Sequence, residues 1–177
     1  LTRAGNTGWS FDLTGEHYSM AGLFVLYFAD QLGYASLLKF QEIDASDLSA
    51  FQRLLNIYNT GKSVKSWFQQ WHIANYLNNK SISPLYGYDY DRVGRSNSNI
   101  RHTTGQVESA DNTILNYDVN YISFTASADS LPITFNTVGS LEPTVSAIQF
   151  TDDSVKIKNV DMSTEYLVTD ANSKVNE

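Results

Sequence analysis

Residues 17–33, HYSMAGLFVLYFADQLG, decide how the first part of this chain folds. Apolar side chains fall at Met20, Leu23, Phe24, Tyr27 and Phe28, the three-and-four spacing of a helix with a wide buried face. Gly33 stands where a helix ends. A shorter helical pattern follows through Ser36, Leu37, Leu38, Phe40 and Glu42. Asp47 is placed to cap a third helix that carries Phe51, Leu54, Leu55 and Tyr58 on one side, closed by Asn59-Thr60-Gly61. Ser63 caps a fourth, with Val64, Trp67, Phe68, Trp71, Ala74, Tyr76 and Leu77. Trp67 and Trp71, four residues apart on one side of that helix, are core residues. The stretch 78–94, interrupted by Pro84, Gly87 and Gly94, reads as an ordered but irregular connector.

Past that connector the period changes from helical to alternating. Tyr117, Val119, Tyr121, Ile122 and Phe124 predict one long strand with a bulge where the period slips. Leu131, Ile133 and Phe135 alternate with Pro132, Thr134 and Asn136. Residues 147–150 and 155–160 bracket Asp152-Asp153 as a hairpin, and 166–168 supply a last strand. The Ser-, Asn- and Thr-rich stretch 96–113 is a loop. The fold class expected is therefore α+β, a helical subdomain at 1–95 followed by a small antiparallel β-sandwich or sheet at 96–177.

Charge and composition divide at the same place. Residues 1–95 hold 8 basic and 8 acidic side chains, whereas residues 96–177 hold 4 and 11, which accounts for the whole net charge of −7. Of the 23 aromatic residues, 17 lie in the first part. A chain of 177 residues can bury about 70% of its unfolded surface and needs no covalent staple. The acidic balance argues against a nucleic-acid partner, because phosphate neutralisation needs a surplus of Lys and Arg. With no Cys, a disulfide framework, thiolate catalysis and Cys-ligated zinc are excluded. The longest apolar run, Met20 to Ala29, is about half of a membrane span. Leu1 stands first without an initiator Met or a charged leader, which reads as a processed product or an excised piece.

Catalytic signatures are mostly missing. Zinc hydrolysis commonly uses two His one helical turn apart plus a third ligand around an open position. His17, His72 and His102 are isolated: Ala21 and Tyr76 occupy the positions four beyond the first two. The adjacent Glu16-His17 pair could ligate a metal, but neighbouring helical residues point to different sides, so a cap or surface role is preferred. No Gly-x-Ser-x-Gly elbow is present, and Gly5, Gly8 and Gly15 are too scattered to cradle a phosphate. Asp111, Asp118, Asp129 and Asp152-Asp153 supply the hard oxygen ligands calcium takes, without an Asp-x-Asp-x-Asp-Gly loop; a solvated acidic surface is the plainer reading. Tyr86, Tyr88 and Tyr90, alternating with Gly87 and Asp89, read either as an aromatic platform for sugars or peptides or, preferably, as staples fixing the connector to the helices.

Several ordered motifs carry a family resemblance. They are residues 17–24 (HYSMAGLF) and 26–33 (LYFADQLG), then Gly61-Lys62-Ser63, residues 68–77 (FQQWHIANYL), and Tyr86-Gly87-Tyr88. Residues 116–122 (NYDVNYI) ahead of 131–135 (LPITF) continue the series. Over residues 9–136 the chain resembles the C-terminal portion of secreted gluzincin-type zinc metallopeptidases, the immune-inhibitor-A-like and hyicolysin-like group. In that family the His-Glu-x-x-His helix and the third, Glu ligand lie upstream, and neither motif occurs in these residues.

The resemblance implies a secreted or cell-surface, non-catalytic part of a peptidase, one wall of a substrate cleft with an accessory β domain. Zinc is then expected only in an upstream segment, with no cofactor held by this chain, and the partner is that catalytic segment or a polypeptide substrate. Tyr18 is the one position the resemblance places facing the cleft, where a phenol could hydrogen-bond an oxyanion; a packed Tyr bonded to backbone is the other reading. A peptidase part should show an apolar face near Trp9, Phe11 and Tyr18. A binding or surface-assembly module that has lost the metal site, open to self-assembly through strand edges, should have a self-sufficient core and a polar surface all round.

Overall fold

The computed structural model describes residues 15–45, 47–96, 100–103, 118–125, 130–135, 142–151 and 154–169, with backbone only for 15–19, 100–103, 125 and 169. The chain is α+β, four helices followed by short strands, and it divides into two compact units with the change-over at 97/98 and residues 118–119 grouped with the first.

Helix α1 spans Gly15–Leu32 and α2 spans Ala35–Gln41. Gly33, at φ 84°, makes the turn between them in a backbone region that disfavours side chains. Helix α3, Leu48–Ile57, begins where the Asp47 carboxylate accepts a hydrogen bond from the Ser49 amide at 2.8 Å. Asn59 (φ 51°) and Gly61 (φ 66°) then reverse the chain into α4, Val64–Leu77. The Ser63 hydroxyl caps α4 by accepting from the Ser66 amide at 3.1 Å, and left-handed Asn78 ends it. Side-chain caps satisfy amides that the first turn leaves without partners.

Phe24, with no exposed surface, is the hub of the helical core. Its ring stacks on Phe68 at 4.5 Å and meets Phe28, Phe51 and Trp71 edge-on at 5.0–5.2 Å. Edge-to-face rings place the positive rim of one on the negative face of another. Thus the period read at Phe24, Phe28, Phe68 and Trp71 converts directly into packing between α1, α3 and α4.

The strand unit holds three two-stranded ladders among the described residues. Strand β3, Ser130–Ile133, pairs antiparallel with β6, Tyr166–Thr169, and β4, Val145–Phe150, pairs antiparallel with β5, Val155–Val160. The expected hairpin closes as Thr151 and Ser154 exchange backbone hydrogen bonds at 2.8 and 3.3 Å. Its register sets Ile148 against Ile157 and Phe150 against Val155 on one face, with Gln149–Lys156 and Ala147–Lys158 on the other. Strand β1, Ile100–Thr103, falls inside the stretch 96–113 expected to be a loop and pairs in parallel with β2, Ile122–Thr125, whereas the alternating pattern suggests only antiparallel pairs; its partner lies far along the chain, so no local pattern marks it. The long strand expected from Tyr117 is also shorter: 118–121 lie outside it and the ladder begins at Ile122. Phe135 likewise falls beyond β3, which ends at Ile133.

Among the described residues every hydrophobic side chain less than a tenth exposed, from Met20 to Val93, belongs to the helical unit. A two-stranded ladder has too little area on one face to enclose a side chain by itself.

Candidate functional site

The polar side chains that the helical unit buries define its most specific arrangement. Helix α4 carries Gln70, Trp71 and Asn75 on its inward side, and α1 carries Tyr27. The Tyr27 hydroxyl accepts from the Gln70 amide at 2.5 Å and donates to the Leu85 carbonyl at 2.9 Å. Burial pushes the Tyr27 phenol well above the ordinary range for tyrosine, against the opposing effect of the Gln70 hydrogen bond. It is therefore a neutral donor throughout physiological pH. Gln70 in turn accepts from the Lys62 ammonium, and partial burial lowers that amine's pKa. A polar thread thus runs from the α3–α4 turn through the core to the connector.

A second thread lies beside it. The Trp71 indole donates to the Tyr88 hydroxyl at 2.8 Å, and that hydroxyl donates to the Asn75 side chain. Asn78 accepts from the Tyr88 amide at 3.2 Å and donates to the Val93 carbonyl at 2.5 Å. The Asp30 carboxylate accepts from the Asp89 amide at 3.0 Å, and Gln31 donates to the Pro84 carbonyl at 3.1 Å. The connector is therefore fastened to both α1 and α4 along its length. Gly87 allows this, since a Cβ there would lie 3.0 Å from the Asn79 amide nitrogen and 3.2 Å from the Asn78 carbonyl carbon.

Tyr86, Tyr88 and Tyr90 do not form a common platform. Tyr88 is buried, Tyr86 is half-buried and Tyr90 is 50% exposed, so the staple reading holds for Tyr88. Trp67 and Trp71 are core residues, as expected.

The three histidines are dispersed through the elements. His17 lies in α1 and His102 in β1, both with backbone alone described. His72 is buried on α4 with its ring 4.8 Å from that of Trp71 and 6.3 Å from that of Phe68. Among the described residues no group of three or more His, Asp or Glu is placed to hold a metal ion. Of the carboxylates considered for calcium, Asp118 accepts from the Val119 amide at 2.8 Å, while Asp111, Asp129, Asp152 and Asp153 lie outside the described residues. Trp9 and Phe11 also lie outside them, as do the side chains of Glu16 and Tyr18, whose backbone belongs to α1.

The helical surface carries an apolar hollow of about 240 Å³, lined by Val25, Phe28, Leu37, Phe40, Gln41, Phe51 and Leu54. Val25 is 43% exposed there, and Leu38 (67%) and Tyr34 (69%) add exposed apolar surface on and before α2. Sequence reading missed Gln70, Asn75, Asn78 and Asp30, which lie within or at the ends of strongly apolar helices. Gln70 and Asn75 signal themselves as polar amides where the helical period calls for core; Asp30, near the end of α1, and Asn78, the left-handed cap of α4, carry no such signal. No known protein family, curated protein sequence or solved structure matches this chain.

Proposed function

We propose that this chain is the non-catalytic C-terminal part of a secreted zinc-metallopeptidase-like protein. In this reading the helical unit forms one wall of a substrate cleft and the strand unit is an accessory domain. The observation that carries it is the convergence of three motifs far apart in sequence. Tyr27 comes from the first, Gln70, Trp71 and Asn75 from the second, and Tyr88 from the third, and they meet in one core through two neighbouring hydrogen-bond threads.

Exposed apolar surface supports the same reading. The face expected near Trp9, Phe11 and Tyr18 lies outside the described side chains; elsewhere, Val25, Tyr34, Leu38 and the neighbouring hollow suit a wall that another segment completes better than a polar surface all round. The described residues offer no ligand set for zinc, so no hydrolytic step is assigned to them. An upstream segment would supply the metal and the activated water. The alternative is an extracellular binding or surface-assembly module, and the closed aromatic core of the helical unit supports it.

The test is the intact mass and peptide map of the gene product exported by its natural host. A precursor carrying His-Glu-x-x-His ahead of Leu1 is expected, with zinc and peptidase activity in that form and none in the 177-residue chain alone. An exported product that begins at Leu1, with no zinc-bearing partner, would overturn the peptidase reading and favour the module.

A further inference from the structure

We draw no further inference here: the strongest candidate, the apolar hollow between α1, α2 and α3 lined by Val25, Phe28, Leu37, Phe40 and Phe51, carries nothing because nothing in the structure shows what covers it.

Discussion

Replacing Tyr88 by Phe removes one oxygen atom and leaves the ring in place. That oxygen accepts from the Trp71 indole at 2.8 Å and donates to Asn75, and all three side chains are less than a tenth exposed. The loss strands a donor and an acceptor where water does not reach. Each stranded group costs roughly 1–3 kcal/mol, so Tyr88→Phe, which strands two, is expected to destabilise the helical unit by about 2–6 kcal/mol. The ring's edge contact with Tyr27 at 5.9 Å is unaffected, so no large cavity contributes. At about 4–8 °C per kcal/mol for a unit of this size, even the lower end of that range lowers the unfolding midpoint by roughly 8–16 °C.

Urea and thermal unfolding followed by tryptophan fluorescence suits the measurement, because Trp67 and Trp71 both belong to that core. Tyr90→Phe, at a side chain 50% exposed, is the control and should change stability by less than about 0.5 kcal/mol. Adding Asn75→Leu to Tyr88→Phe should cost less than the sum of the two single changes, by about 1 kcal/mol, since removing both partners leaves less unsatisfied. A Tyr88→Phe variant as stable as Tyr90→Phe would refute the reasoning: the hydroxyl would then be water-bonded and the thread ornamental to stability.

Three further outcomes follow from the caps and the connector. Gly87→Ala should loosen the connector, because its Cβ meets backbone at 3.0 Å; limited proteolysis should cut between residues 80 and 95 faster than in Gly94→Ala, where the same atom meets nothing within 4 Å, and equal rates would contradict it. Ser63→Ala should cost about 1 kcal/mol in urea unfolding and Ser63→Asp should recover most of it, since either oxygen can accept from the first turn of α4. Asp47 has its pKa held down by the Ser49 side chain and amide, so its folded value lies below its unfolded one. Its contribution is present above the ordinary carboxylate range and fades as pH falls through the depressed value, so the stability gap between wild type and Asp47→Ala should narrow on acidification below about pH 4, and a gap that widens there would reverse the sign.

How legible the fold was depended on whether a local pattern fixed each feature. The helices were legible because the period was clear and, around α3 and α4, cap and stop agreed with it: Asp47 and Ser63 cap, while Gly33, Asn59 and Gly61 turn the chain in left-handed conformations; α2, with no side-chain cap at Tyr34, was legible from its period alone. The hairpin was equally local, with Thr151 and Ser154 closing a ladder only a few residues long on each side. The parallel β1–β2 pair was not. Ile100 and Ile122 meet across more than twenty residues of chain, and alternation specifies which face a residue takes, never which strand lies alongside. Pro132 made the same point from the other side: it sits opposite Leu167 in a paired strand, exposed, where the proline costs little because a two-stranded ladder has an outer edge.

Polar residues in the helical core resisted sequence reading for a different reason. On a pattern of apolar positions, Gln70 and Asn75 look like interruptions in the buried side of α4. Packing reverses that judgement. Apolar burial among Phe24, Phe28, Phe68, Trp67 and Trp71 is non-directional and rewards any arrangement that removes the same surface from water. The hydrogen bonds are more selective, because the Tyr88 hydroxyl meets both the Trp71 indole and Asn75 at one position of the connector only. Tyr27, reaching the Leu85 carbonyl from α1, fixes the same segment a second time. Hydrophobic burial therefore supplies the driving force, and the two polar threads select which arrangement it stabilises. This separates the effects of two mutations at the same junction: Trp71→Phe should weaken the core with the connector still seated by Tyr27. Tyr27→Phe combined with Tyr88→Phe should instead raise amide hydrogen exchange over residues 78–96 more than over α1 and α4, because the connector then keeps only its side-chain bonds to Asp30, Gln31 and Asn78, and an equal rise throughout the unit would contradict it.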